Sequence, residues 1–343
     1  MLQKKTSLKD IAQEAGVSIA LVSYVLNNKK EGRIRKDIAQ KIRDIAHKLN
    51  YRTNQIAKSL KTNKTNTIGL IVADISNNFS SNLARIIEDE ADKFGYTVIF
   101  GSSDENENKF RKLLDTLLNR QVDGLIMAPP INSETEIKEL IRLQIPFVMI
   151  DRYYPEITTN YVVLDNFNAA YKCTKHLIDN GRSAIGTITY GTPLHHLEER
   201  KRGYMAALKD NKVPFKMNWL KEIDIATKRE DIENAIDDLL SQSQRIDAIF
   251  FGSNSIALIG LKYVNSLLIR VPKDLAIISF DETEALDLFY APLTFLRQPL
   301  PEMGEAAVKI LIDCINKNDN NTHVVMDGQL VVRASTQSSV PVL

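Results

Sequence analysis

The sequence predicts two architectures in one chain: an N-terminal all-α helix-turn-helix head, then an α/β two-lobed body of parallel sheets with helices on both faces. Three observations carry this. The net charge of +1 hides an asymmetry, because residues 1–64 hold 15 Lys and Arg against 5 Asp and Glu, while the rest of the chain holds 29 against 38. Within the head, apolar residues recur at helical spacing, with Gly16 separating the first two helices. From Thr67 onward, short apolar runs alternate with amphipathic helices, the pattern of parallel strands covered on both faces.

The first helix opens at Ser7-Leu8-Lys9-Asp10, a capping box with an acid three residues after the cap. Leu8, Ile11, Ala12 and Ala15 form its apolar stripe, and Gly16 stops it. Ser18 caps a second helix, Ile19 to Asn27, whose buried face is Val22, Val25 and Leu26. Ser18, Ile19, Ala20, Ser23, Tyr24 and Asn27 then lie on its cap and outward face. Two short helices around a tight glycine turn make a helix-turn-helix, whose second helix enters the major groove. A third helix, about Lys36 to Leu49, closes the core with Ile38, Ile42, Ile45, Ala46 and Leu49. Lys36, Lys41, Arg43 and Lys48 fall off that stripe and are placed to meet phosphates.

The run Leu8-Lys9-Asp10-Ile11-Ala12-Gln13-Glu14-Ala15-Gly16-Val17-Ser18, followed by Leu21-Val22-Ser23-Tyr24-Val25-Leu26-Asn27, resembles the head of the lactose-repressor (LacI/GalR) family. That resemblance implies a double-stranded, pseudo-palindromic DNA operator as partner and a homodimer as the binding species. The family pattern has Thr at Leu21 and Arg at Tyr24. A bidentate Arg reads guanine, whereas Tyr offers one hydroxyl and a ring for a thymine methyl, so operator rules from Arg-bearing relatives do not carry over. Ile19 and Ala20 hold the other variable base-reading positions and contribute shape and methyl contact.

Residues 50–61 resemble the family hinge, a short helix formed only on operator. Such a segment cannot hold a helix alone in water. Leu60 matches the minor-groove wedge, an apolar side chain that unstacks a base step and kinks the duplex. Ala57 and Lys61 match neighbouring contact positions. Thr53 stands where family hinges usually carry Pro, so the helix start is less fixed.

In the body, Ile68–Val72, Tyr96–Phe100, Gly124–Met127, Pro146–Ile150, Ala184–Ile188, Ala248–Phe251 and Leu275–Phe280 read as strands. Helices are predicted around Asn82–Phe94 and Lys109–Gln121. Some twelve such elements are too many for one small sheet, hence two lobes, with ligand outside the carboxyl ends of the strands. The body resembles the family's periplasmic-binding-protein-like core through Asp74-Ile75-Ser76-Asn77-Asn78-Phe79, Ile150-Asp151-Arg152, Arg200-Lys201-Arg202-Gly203-Tyr204, Ala257-Leu258, Phe280-Asp281 and Pro292-Leu293-Thr294. The division expected is a head of 1–51, a hinge and linker of 52–65, an N-terminal lobe of 66–164 with 295–322, and a C-terminal lobe of 165–294 with 323–340.

Candidate effector residues sit at strand ends or at matching family positions. Asp281 ends a strand, where its carboxylate accepts from ligand hydroxyls. Arg200 matches the family's ligand-contacting Arg, whose fork suits vicinal oxygens or a carboxylate. Arg152 follows a strand end, Phe79 offers a stacking face, and Asn254 follows another strand with Ser253. Each residue type also serves as an ordinary cap, turn or surface ion pair. His195-His196 reads as a solvated pair on a loop. Hydroxyl-binding chemistry suits a sugar or sugar derivative. The two arginines leave room for an acidic sugar or phosphosugar, and a purine is the alternative. Whether effector releases DNA or promotes binding is not written in these residues.

Other classes find little support. There is no Walker phosphate loop, no Gly-x-Gly-x-x-Gly after the first strand, no Gly-x-Ser-x-Gly elbow and no His-Glu-x-x-His. The expectation is a regulator with no catalytic residues, no metal and no cofactor beyond a sugar-like effector. Cys173 and Cys314 read as small buried hydrophobes. No apolar run approaches the ~20 residues that span a bilayer, and no apolar h-region follows Met1-Leu2-Gln3-Lys4-Lys5, so a cytoplasmic, nucleoid-associated address is expected. With no leucine heptad after Val340, a coiled-coil tetramer is not expected.

Overall fold

The computed structural model describes residues 6–27, 29, 33–52, 64–226, 229–241, 245–317 and 321–337. The chain forms two compact units, 1–65 and 66–343.

The first unit is three helices, α1 (Leu8–Ala15), α2 (Ile19–Leu26) and α3 (Lys36–Lys48). The capping box forms as its spacing predicts: the Ser7 N–H donates to Asp10 Oδ2 at 2.8 Å, and the Asp10 N–H to Ser7 Oγ. Gly16 ends α1 at φ +71°, the left-handed region where a Cβ is disfavoured. Ser18 caps α2 by accepting from the Leu21 N–H. Ile11, Val22 and Ile42, one from each helix, are fully buried and meet at the centre.

The second unit holds two six-stranded sheets with the same layout. The N-lobe carries β1 (Thr67–Val72), α4 (Asn78–Lys93), β2 (Thr97–Ser102), α5 (Glu107–Asn119), β3 (Gly124–Met127), α6 (Glu134–Arg142), β4 (Phe147–Ile150) and β5 (Tyr161–Leu164). The C-lobe carries α7 (Asn166–Asp179), β6 (Ile185–Tyr190), α8 (His195–Asp210), β7 (Leu220–Ile223), α9 (Arg229–Ser241), β8 (Ala248–Phe251), α10 (Asn254–Val264), β9 (Ala276–Phe280) and β10 (Thr294–Arg297). The chain then returns through α11 (Leu300–Ile315), β11 (His323–Met326) and β12 (Gln329–Val331). The strand orders are β11-β5-β4-β3-β1-β2 and β12-β10-β9-β8-β6-β7, all neighbours parallel except β10 with β12. Helices cover both faces of each sheet, so β3, β4, β8 and β9 are buried along their whole length. The edge strand β2 instead leaves Phe100 60% exposed and Ile99 exposed beside it.

The lobe boundaries differ from the sequence expectation at the second and third crossings. Residues 295–297 were assigned to the N-lobe, but β10 pairs in parallel with β9 and belongs to the C-lobe. Residues 323–326 were assigned to the C-lobe, but β11 pairs with β5 in the N-lobe. The chain crosses after Leu164, after Arg297 and between Met326 and Gln329. The cause is strand length. Strands of three or four residues carry too little periodicity to announce which sheet they complete. Cys173 and Cys314 are free thiols buried among apolar side chains.

Candidate functional site

In the head, Ser18, Ile19, Ala20 and Tyr24 are exposed along one side of α2, Ile19 by 48%. Ser23 and Asn27 are half-buried. The Asn27 amide turns back to donate to the Ser23 carbonyl at 2.8 Å, so it closes its own helix. Lys41 and Lys48, both assigned to phosphates, are engaged inside the head. Lys41 Nζ donates to the Ala15 carbonyl at 3.0 Å, tying α3 to the end of α1, and Lys48 pairs with Glu14 at 2.9 Å. An acceptor 26 or 34 residues away is invisible to helical periodicity. Lys36 and Arg43 are exposed on α3. Ala57, Leu60 and Lys61 lie outside the described residues.

In the body, a cavity of about 150 Å³ opens between the lobes at the carboxyl ends of their strands. Phe79, Arg152, Arg200 and Asp281 all line it. Asn254 does not; its buried amide faces Asn77 of the N-lobe, donating to Asn77 Oδ1 at 3.1 Å and accepting from Asn77 Nδ2 at 3.4 Å. This reciprocal pair ties the lobes together, as does Tyr153 Oη at 3.1 Å from His195 Nε2.

Each lining side chain is held by its element. Asp281 follows β9 at φ +67°, and the Gln298 amide donates to its Oδ1 at 2.6 Å. Arg200 projects from α8. Its Nε donates to Asn166 Oδ1 at 2.8 Å and its Nη1 to the Gly252 carbonyl at 3.0 Å, with the guanidinium 3.6 Å over the Phe280 ring. Arg152 is gripped by Glu105 at 2.7 and 2.6 Å through both terminal nitrogens. The room that two arginines promised an anion is therefore largely filled by the protein itself.

Several lining residues escaped the sequence reading. Asp151 follows β4 as Asp281 follows β9, and the same strand-end logic would have found it inside the Ile150-Asp151-Arg152 run. Asp151 is buried, 8% exposed, and among the described residues its carboxylate is approached by Arg152 Nε at 3.6 Å. Burial pushes the Asp151 carboxyl up to about 6, against the pull of Arg152 and Arg200. Burial also raises Asp281, opposed by Arg200 and the Gln298 hydrogen bond. The histidine pair is not on a loop, and only His195 is partly solvated. His195 begins α8 with its ring edge-on to Tyr153, and His196 is buried against the cavity. Burial and then the two arginines drive His196 well below its ordinary value, so it is neutral at pH 7. The sequence carried no sign of this, because the first helical turn was read as loop. Among the described residues, His196 Nδ1, Gln298 Oε1 and Arg152 Nε are buried here with no hydrogen-bond partner. Burying such atoms costs roughly 1–3 kcal/mol each, and a bound molecule with matching groups removes that cost.

The wider comparisons agree with this architecture. Residues 7–54 match the family "Bacterial regulatory proteins, lacI family", and residues 174–336 match "Periplasmic binding protein-like domain". The chain is 32% identical over 334 residues to the catabolite control protein A of Priestia megaterium, covering 96% of this chain and 99% of that one. It is 31% identical over 337 residues to the ribose operon repressor of Haemophilus influenzae, covering 97% and 99%. The fold superposes on a crystal structure of the lac repressor dimer bound to operator and an anti-inducer with TM-score 0.86 at 20% identity, covering 98% of this chain and 100% of that one. With a match this complete to curated regulators, the chain belongs to the lacI family of bacterial regulatory proteins, a DNA-binding transcription regulator and not an enzyme.

Proposed function

We propose that this chain is a repressor that binds a pseudo-palindromic operator as a homodimer and is controlled by a small polyhydroxylated effector held between its lobes. The observation that carries the effector reading is the set of buried, unpartnered polar atoms of His196, Gln298 and Arg152 around one interlobe cavity. A core has no use for such atoms; a ligand with several hydrogen-bonding groups does. Phe79 on one wall supplies an apolar face against which a sugar ring packs.

The head supports groove reading through the exposed row Ile19, Ala20 and Tyr24, with Lys36 and Arg43 on the neighbouring helix. The apolar edge at Ile99 and Phe100 of β2 supports pairing of two bodies. The site of action is the cytoplasm, on nucleoid DNA. Effector and operator affinities are then linked reciprocally through lobe closure.

Fluorescence anisotropy of the full chain on selected genomic fragments, with and without a compound that raises its melting temperature, tests this reading. Tight, sequence-selective binding whose affinity changes with the compound is expected. Binding indifferent to every compound that stabilises the protein would remove the effector role.

A further inference from the structure

The cleft has the wrong charge for an anionic effector. Four carboxylates line it, those of Asp74, Glu105, Asp151 and Asp281, against the two guanidiniums of Arg152 and Arg200. His196, neutral, adds nothing to the balance. The formal excess is therefore two negative charges, with Asp151 and Asp281 the buried members of the four carboxylates.

The hydrogen bonds sharpen the point. Glu105 occupies both terminal nitrogens of Arg152, and Asn166 with Gly252 occupies Nε and Nη1 of Arg200. A phosphate or carboxylate entering the cleft would find Nη2 of Arg200 and Nε of Arg152 unengaged, one nitrogen from each guanidinium rather than a bidentate fork, and would share the cavity with the carboxylates of Asp151 and Asp281. Like charges buried together repel strongly where water cannot screen them. Conversely, the Asp151 carboxylate is buried and meets only a 3.6 Å approach from Arg152. That approach is longer than the 2.7 and 2.6 Å hydrogen bonds between Arg152 and Glu105. Arg152 and Arg200 pull on it from a distance, but what it lacks among the described residues is a charged donor at hydrogen-bond length.

We propose that the effector carries a protonated amine: an amino sugar or similar amino polyol whose ammonium sits on Asp151. This rests on the reading of the interlobe cavity as the effector site. The hydroxyls of the same ligand then meet Asp281, Gln298 Oε1 and His196 Nδ1, the last two being 94% and 92% buried and without partners. An ammonium with three donors and several hydroxyls supplies the atoms these groups lack.

The test uses the full chain. The purified protein is incubated with a small-molecule extract of bacterial cells, separated by gel filtration, denatured, and the retained compound identified by mass spectrometry. Its affinity is then measured by calorimetry on the native chain and on Asp151→Asn, alongside glucosamine, glucose and glucose 6-phosphate, probes of one ring that carry positive, no and negative charge. The expected result is a retained amine whose affinity falls at least tenfold in Asp151→Asn, with glucose 6-phosphate the weakest of the three probes. A retained phosphate or carboxylate, or a neutral compound without an amine, overturns the proposal while leaving the effector site in place. Retention of nothing from extracts of cells grown on varied carbon and nitrogen sources overturns the effector-site reading itself, and the amine with it. Retention of an amine whose affinity is indifferent to Asp151→Asn overturns the assignment to that carboxylate.

Discussion

Asp151 and Asp281 occupy the same place in the two lobes. Each follows the fourth strand counted inward from the β2 or β7 edge, each adopts φ +67°, and each turns a buried carboxylate to the cleft. Asp is one of the few residues with a Cβ that tolerates this left-handed backbone. The repeated turn is thus how two copies of one sheet layout aim acidic side chains at a common space.

Removing the charge of Asp151 is expected to stabilise the empty protein. Its carboxyl sits at about 6 in the native state against an ordinary 3.8. Between those values the native state binds the extra proton, so stability from this group falls as pH rises from 4 to 6 and stays low above. A shift of that size corresponds to on the order of 3 kcal/mol. Denaturant unfolding of Asp151→Asn should therefore show a gain at pH 7.5 that shrinks toward pH 4. An equal effect at both pH values would mean that the carboxylate is not held against its charge. Asn also accepts the left-handed backbone, so strain does not confound the comparison.

Glu105→Gln is expected to be costly. It leaves the Arg152 guanidinium buried opposite a neutral amide, and breaking a buried pair by neutralising one partner typically costs about 3–5 kcal/mol. Part of that loss returns if an anion takes the vacant place. Melting temperatures of Glu105→Gln in sulfate and in chloride at equal ionic strength should diverge, whereas those of the native chain should not.

The Asn77–Asn254 pair joins the lobes through two amide hydrogen bonds. Asn77→Ala and Asn254→Ala should each destabilise, and the double variant should cost less than their sum by about 0.5–1.5 kcal/mol. Additive losses in urea unfolding would show that the pair does not act as one unit.

Tyr24→Arg should move operator preference rather than abolish binding. On the proposed reading the exposed ring at this position would meet a thymine methyl, whereas a guanidinium there would read guanine at the same step. Selection of bound sequences from a randomised half-site checks this; an unchanged preferred base would place Tyr24 off the base edges.

Much of this protein was legible in its sequence, and the rest was hidden for physical reasons. The helix caps at Ser7 and Ser18 and the stop at Gly16 are local chemistry, so they could be read directly. The central strands were equally plain, because burial on both faces demands unbroken apolar runs. Among the edge strands β2 was read from its apolar run, but β7 and β12 were not, being half solvated and only three or four residues long. At the cleft, Asp281, Arg200, Arg152 and Phe79 were found from strand ends and family positions. The partners that decide its charge were not. Glu105 lies 47 residues from Arg152, and Asn254 lies 177 from Asn77, distances over which a sequence carries no pairing signal.

The measurement that bears most directly on the central claim is selection of genomic fragments by the full chain, repeated with its retained small molecule present. The account predicts enrichment of a shared pseudo-palindrome, with the enrichment raised or abolished by that molecule. Fragments no more enriched than random sequence, or a palindrome recovered equally in both arms, would contradict it.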